Sequence, residues 1–184
     1  MKNGGTVMTD HELVEQARSG NDEAFQDLIE KHYRTVQKFA FQIGVHRTDV
    51  EDITQDVFLK VYRSLSSFTG KTLTTWLYSI TLNAARDHMR REKRQRRNVE
   101  VMKGKQPAKP YAELGSREAS WELHDMLLRL EEKYRIPLIL HYFHDQSFKE
   151  IGDVIGKSES AVKTRVMRAR RQLKKEWEKV GVEA

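Results

Sequence analysis

The stretch that decides the fold runs from Asp145 to Lys175 and reads DQSFKEIGDVIGKSESAVKTRVMRARRQLKK. Ser147, followed three residues later by Glu150, is a capping box and predicts the start of a helix. Gly156 follows the last apolar residue of that helix, where a left-handed residue without a Cβ is favoured. Ser158 is a good N-cap for a second helix. The stretch therefore predicts two helices joined by a tight turn.

The second of these helices has two different faces. Its apolar residues recur at steps of four, three and four and are predicted to pack inward: Val162, Val166, Ala169 and Leu173. At 100° per residue, a second set lies on the opposite, exposed side: Ser160, Thr164, Met167, Arg168 and Arg171, flanked by Lys163 and Lys174.

The exposed face is strongly basic. From Lys163 to Lys175 there are seven Lys or Arg and no Asp or Glu. A helix of this width fits a DNA major groove, with its N-terminal half at base edges and its flanking cations at phosphates. The alternative is a helix pair packed for its own sake with a solvated basic face. Caps, turn, apolar stripe and charge all agree with the DNA-binding helix-turn-helix.

The charge of the whole chain points to a polyanionic partner. Residues 86–97 carry a net charge of +5 and residues 163–175 carry +7, so a total of +6 over 184 residues leaves −6 for the rest. Two basic patches on an acidic body suit two contacts with one polyanion and a further partner of basic or mixed charge.

The chain contains no cysteine, which excludes a disulfide framework and a thiolate metal site, and a reducing cytosol is expected. The longest aliphatic run, at residues 136–140, is too short for membrane insertion, and no apolar signal segment is visible, so we expect a cytoplasmic protein.

The remainder of the chain also reads as helical, and no stretch alternates as a strand does. Capping signals at Thr9, Asn21 and Thr48 with Glu51 predict three helices. A loop over residues 68–74 and a fourth helix from about Thr75 to residue 97 follow. The basic end of this fourth helix is either a solvated helix terminus or a phosphate-binding stripe. The predicted fold is all-α, with two small helical domains at residues 9–97 and 117–179 joined by a flexible linker at 98–116. In the second domain, Pro137 requires a helix start shortly before it or a kink.

Several motifs together resemble bacterial sigma factors of the extracytoplasmic function (ECF) group of the sigma-70 family. They are FTGKTLTTWLYSITLNAARDHMRR at 68–91, the stretch from residue 130 to 173, DVEDITQDVF at 49–58, the TWL-x₅-N pattern and V-K-x-R-x-x-R-A-R. The likeness spans about Thr9 to Trp177. Gly152 stands where the family commonly has alanine and Glu131 where it commonly has proline.

The resemblance implies a subunit that binds core RNA polymerase at the beta-prime clamp helices and the beta flap. It would direct promoter-specific initiation, in a stress or envelope response, with no enzymatic activity and no cofactor. Promoter DNA and an anti-sigma factor are the other implied partners.

Three sets of residues carry the implied contacts. The minus-35 set comprises Ser158, Ser160, Lys163, Thr164, Arg165, Met167, Arg168 and Arg171. The minus-10 set comprises Phe68, Lys71, Thr72, Asn83, Arg86 and Arg90. The polymerase-binding set comprises Asp49, Asp52, Gln55 and Asp56.

Physical reasons support the last two sets. Melting needs a place for an unstacked base, and Phe68 could stack on it while Asn83 bonds its edge. Trp76 lies on the apolar side of its helix and is expected to pack inside. Asp49 and Glu51 could instead only favour their own helix N-terminus, which explains Asp52 and Asp56 less well.

A DNA-binding regulator and a recombinase are the alternatives to this function. A stand-alone helix-turn-helix regulator that binds duplex DNA as a dimer remains an alternative, although a ligand or dimerisation domain is not visible. A recombinase would need a positioned nucleophile, and the sequence offers none, so no catalytic residue is predicted. No metal site is predicted either, because no His or Cys cluster accompanies the carboxylates; His141 and His144 are expected to be ordinary packed or exposed histidines.

Overall fold

A computed structural model describes residues 8–69, 72–103 and 118–180, and within these ranges the chain forms eight α-helices and no β-strand. The helices are α1 Asp10–Arg18, α2 Asp22–Gln42, α3 Val50–Ser64, α4 Leu73–Lys103, α5 Glu118–Arg129, α6 Glu132–Phe143, α7 Phe148–Ile155 and α8 Glu159–Val180. Short 3-10 turns at Arg47–Asp49 and Leu65–Ser67 precede and follow α3. The all-α prediction is confirmed. None of the described helices combines the length and apolar character that a membrane span needs.

Predicted capping signals start four of the described helices. The Thr9 and Ser147 capping boxes both form, and the Asn21 side chain accepts from the Ala24 N–H of α2. Gly156 adopts the left-handed conformation with φ 65° and ψ 46° and ends α7, as its position in the turn requires.

The prediction for the start of α3 was wrong. Thr48 does not form a capping box with Glu51, because the chain enters α3 through the 3-10 turn and the Thr48 hydroxyl is used elsewhere. It donates to the Asp49 carboxylate at 2.9 Å and lies 2.8 Å from His46 Nδ1.

Helix α4 differs from its predicted bounds at both ends. It begins at Leu73, inside the predicted loop, and runs to Lys103, six residues into the predicted linker. Residues 98–103 read NVEVMK and contain neither glycine nor proline, so nothing in them breaks a helix before Gly104. In the second half, α6 begins at Glu132, and Pro137 lies inside its second turn, past the first turn in which a missing N–H costs no hydrogen bond.

Helices α1 to α4 and helices α5 to α8 form two units that pack against each other. The first is built around Leu28, Phe39 and Val57, and the second around Ile139 and Val162, all almost fully buried. Helix α4 lies against α7, and α2 lies against α5. The predicted pair of helical units is thus present, with a direct contact between them.

Polar groups hold this contact at its centre. The Tyr78 hydroxyl lies 2.9 Å from His144 Nδ1, and His144 Nε2 lies 2.7 Å from Gln42 Oε1. An amide oxygen only accepts, so Nε2 carries the proton and Nδ1 accepts from the phenol. Burial holds the pKa of His144 down at about 4 and raises that of Tyr78. At neutral pH His144 therefore joins α2, α4 and the end of α6 as an uncharged imidazole.

Candidate nucleic-acid interface

The exposed face of α8 is arranged as its sequence predicts. Val162, Val166 and Ala169 are buried against the second unit, and Leu173 is partly buried. On the opposite side, Met167 is 66% exposed. The other exposed members of the predicted minus-35 set are Ser158, Ser160, Lys163, Thr164, Arg168 and Arg171, while Arg165 is half-buried. The helix thus presents one continuous polar and basic face to the outside.

Local contacts fix the start of this face. Ser158 caps α8 by accepting from the Ala161 N–H at 3.3 Å. Lys163 pairs with Glu159 at 2.9 Å, which lowers the pKa of that carboxyl group, and its ammonium lies 5.8 Å from the centre of the Phe148 ring. An exposed pair of this kind contributes little to stability, so Lys163 can exchange Glu159 for a phosphate at small cost.

A groove of about 380 Å³ lies where the predicted loop meets α4. Phe68 and Trp76 form part of its wall, with their rings stacked at 4.6 Å between centroids. The Arg18 guanidinium also lies near Phe68, 6.0 Å from the centroid of its ring. Phe68 therefore already stacks on Trp76 in this structure, and its stacking on an unpaired base stays a prediction. Trp76 packs partly inside, as expected.

Polar groups of the groove come from α4 and, unexpectedly, from α7. Thr72, Thr75 and Ser79 line one side, and the carboxylate side chains Glu150 and Asp153 of α7 line the other. The Thr75 hydroxyl oxygen is buried and has no hydrogen-bond partner among the described residues. A buried hydroxyl without a partner is unfavourable, so a ligand that donates to it or accepts from it would be stabilised here.

The predicted minus-10 residues are only partly brought together. Thr72 lines the groove, and Asn83 and Arg90 are exposed further along α4. Arg86 instead binds the second unit: its guanidinium nitrogens Nη2 and Nε lie 2.7 and 2.8 Å from Glu132 Oε1 of α6. Lys71 lies outside the described residues.

The predicted polymerase-binding residues divide into two groups. Asp52, Gln55 and Asp56 are exposed on α3. Asp49 instead turns toward α4 and contacts His88 Nε2 at 3.0 Å. Burial raises its pKa, but hydrogen bonds from Thr48 and His88 outweigh this and keep the carboxyl group ionised at lower pH.

Beside Gln55, α3 also exposes two large apolar side chains that are not in the predicted polymerase-binding set. Leu59 is 54% exposed and Tyr62 is 57% exposed. They line a groove of about 340 Å³ between α2 and α3, together with Phe25, Ile29, Tyr33, Gln55 and Phe58. Leu59 and Tyr62 lie outside the inward-facing apolar stripe of α3. Large apolar residues off that stripe are the sequence feature that could have indicated an exposed apolar surface.

Family models match both helical units. Sigma-70 region 2 matches residues 28–95, and Sigma-70 region 4 matches residues 120–173. The chain belongs to the sigma-70 family.

Individual relatives narrow this assignment to the ECF group. The ECF RNA polymerase sigma factor SigW of Bacillus subtilis is 26% identical over 175 residues, covering 89% of this chain and 94% of SigW. The RNA polymerase sigma factor NccH of Alcaligenes xylosoxydans is 33% identical over 172 residues, covering 89% of this chain and 92% of NccH. Among solved structures, CnrH in complex with the cytosolic domain of CnrY matches with a TM-score of 0.72 and 29% identity, covering 92% of this chain and 97% of CnrH. This protein is an ECF sigma factor, which directs transcription initiation by RNA polymerase.

The two surfaces that the sequence predicts to contact DNA therefore differ in how open they are in this sigma factor. Region 4 leaves the α8 face open. Region 2 has its groove bordered by carboxylates of α7, and its Arg86 is bound to Glu132 of α6. In this arrangement, region 4 places carboxylates at the groove and on Arg86, which belongs to the predicted minus-10 set.

Proposed function

We propose that the sigma factor reads the minus-35 element through α8, captures a melted base of the minus-10 element at the groove of α4, and binds core polymerase through α3. The observation that carries the proposal is the pair of separate exposed polar surfaces, one on α8 and one on α4, on a chain whose two basic stretches are residues 86–97 and 163–175. On this proposal the protein acts in the cytoplasm and has no catalytic activity of its own.

On α8, position decides the role of each side chain. Ser160, Thr164 and Arg168 lie at steps of four on the exposed face, so they would face the floor of a major groove. Lys163 and Lys174 flank them and would meet phosphates, which position the helix without reading sequence. Arg168 has the fork that pairs with a guanine edge.

At the groove of α4, Thr75 joins the residues expected from the sequence. Its unpaired hydroxyl could bond the edge of a flipped base, while the stacked rings of Phe68 and Trp76 form an apolar wall. Asn83 and Arg90 lie further along the same helix and would hold the adjacent strand. DNA can enter only after Glu132 releases Arg86 and after Glu150 and Asp153 leave the groove. Separation of the two regions is therefore a step of promoter binding.

The polymerase-binding surface combines charge and apolar area. Asp52 and Asp56 would pair with cations of the beta-prime clamp helices, and the neighbouring Leu59 and Tyr62 supply apolar contact beside them. The beta flap remains the expected contact of region 4. We also propose an anti-sigma factor as a regulator, in line with the family resemblance and with the CnrY domain that CnrH binds.

A double variant tests the base-capture site. Thr75→Val keeps the shape and removes the hydroxyl, and Asn83→Ala removes an exposed amide. We expect polymerase assembly and minus-35 binding to persist while permanganate reactivity of unpaired thymines at the start site falls by at least about tenfold, since lost base contacts cost about 1 to 3 kcal/mol each. Ser66→Ala, an exposed hydroxyl outside the groove, is the matched control. Wild-type strand opening by the double variant would place base capture elsewhere.

A further inference from the structure

Three side chains with metal-binding chemistry meet on region 2, although one of them is far from the other two in sequence. Asp49 ends the turn before α3, and His88 and Glu92 lie one turn apart on α4. His88 Nε2 is 3.0 Å from Asp49 Oδ2 and 3.9 Å from Glu92 Oε2. One ligand atom from each residue can be chosen so that all three lie within 4.8 Å of one another.

Contacts outside the cluster orient both carboxylates. The Thr48 hydroxyl donates to Asp49 Oδ1 at 2.9 Å, and the Arg96 guanidinium donates to Glu92 Oε1 at 3.4 Å. Each contact occupies one oxygen of its carboxylate and leaves the other facing His88. Outer contacts of this kind are what fix ligand orientation in metal sites.

The geometry and the donor atoms suit a transition-metal ion. Zn²⁺ binds nitrogen and oxygen ligands at about 2.0 to 2.2 Å, which places tetrahedral ligands roughly 3.4 Å from one another. The distances of 3.0 and 3.9 Å from His88 Nε2 are within about 1 Å of that spacing, and one ligand atom from each residue lies within 4.8 Å of the other two, so side-chain rotations would bring all three onto one ion. One imidazole with two carboxylates favours first-row transition metals, and two negative charges balance a dication.

We propose that Asp49, His88 and Glu92 form a binding site for a divalent first-row transition-metal ion, with Zn²⁺ as the reference ion. The side chains are between 22% and 33% exposed, so a water molecule can complete the coordination from the solvent side. Three cationic side chains, Lys93, Arg96 and Arg97, line the same cavity as Glu92, and their charge opposes a cation. Binding therefore depends on all three ligands acting together.

A bound ion would join two functional parts of region 2. It would tie the start of α3, which carries the proposed polymerase-binding carboxylates, to α4, which carries the proposed minus-10 residues. Asp49 would then serve the ion, and polymerase contact would fall to Asp52, Gln55 and Asp56. The ion should also raise the thermal unfolding temperature, because it binds the folded chain.

Calorimetric titration of the full-length, chelator-treated protein with Zn²⁺ tests the site. We expect one Zn²⁺ per chain, and His88→Gln should weaken binding by more than about 100-fold, because loss of even an outer contact costs about 10- to 100-fold. Glu92→Gln should weaken it in the same direction. His11→Gln, which removes an exposed histidine of α1, should leave both affinity and stoichiometry unchanged.

Three results would overturn the proposal: no stoichiometric Zn²⁺ binding by the wild type, wild-type affinity in both ligand variants, or an equal loss in His11→Gln. Circular dichroism checks the fold of each variant. If His88→Gln does not fold, Glu92→Gln decides, because it exchanges a partly exposed side chain on a helix for one of equal size. Zn²⁺ should also raise the melting temperature of the wild type and leave that of Glu92→Gln unchanged.

Discussion

Acidification should separate region 4 from region 2, because His144 is docked between them as a neutral imidazole. Its pKa is about 4 in the docked chain, where burial lowers it first, the charge of Lys38 lowers it further, and Asp145 opposes both. Its other neighbours are uncharged: Tyr78 of α4 and Gln42 of α2. Once the regions separate, the imidazole is exposed and returns to an ordinary value of about 6.5.

The sign and size of the effect follow from these two values. A group whose pKa is lowered by docking binds its proton more tightly in the separated state, so docking is strongest above pH 6.5 and is lost as the pH falls toward 4. Between pH 7.5 and pH 5, the docking equilibrium constant should fall roughly 30-fold, or about 2 kcal/mol. This is an upper estimate, because solvent that reaches the imidazole reduces the shift.

A distance measurement can follow the separation. The chain has no cysteine, so Lys60→Cys on α3 and Gln172→Cys on α8 introduce two exposed attachment points for a fluorophore pair. Transfer efficiency should be high at pH 7.5 and fall by pH 5 in the wild-type background, and His144→Gln should remove this pH dependence. His11→Gln should keep it. Constant efficiency down to pH 5, or the same fall in His144→Gln, would refute the reasoning.

Three further outcomes are expected. Arg168→Ala should lower promoter activity in a way that depends on the minus-35 sequence, by about 1 to 3 kcal/mol, whereas Lys174→Ala should weaken all promoters alike; identical sequence profiles from a promoter library would contradict this division. Asp52→Lys with Asp56→Lys should weaken core polymerase binding by several kcal/mol in a pull-down titration and leave helix content unchanged, because both residues are exposed. Gly152→Ala should cost about 1 to 3 kcal/mol in urea unfolding, since its Cβ would lie 2.5 Å from the Lys157 carbonyl oxygen; unchanged stability would show that the turn yields freely.

The helix-turn-helix could be predicted because its signals are local. Ser147 and Glu150 are three residues apart, and Gly156 with Ser158 marks the turn, so caps and periodicity within about thirty residues decide the structure. The same reasoning was wrong at Thr48. Its spacing from Glu51 suits a capping box, but its hydroxyl donates to the carboxylate of the adjacent Asp49.

Contacts between distant parts of the chain left no such signal. Gln42 and His144 are 102 residues apart, and Asp49 and His88 are 39 apart, so neither pairing appears in any periodicity. For this reason no sequence pattern predicts that His88 lies beside Asp49. Nothing in the sequence likewise shows that the ring of Phe68 stacks on Trp76.

Reconstituted transcription with core RNA polymerase and genomic DNA fragments tests the central claim most directly. The account predicts that adding this protein produces defined start sites preceded by shared minus-10 and minus-35 sequences, and that the Asp52→Lys, Asp56→Lys chain produces none of them. Start sites identical to those of core polymerase alone, or a start-site pattern unaffected by the two α3 substitutions, would contradict it.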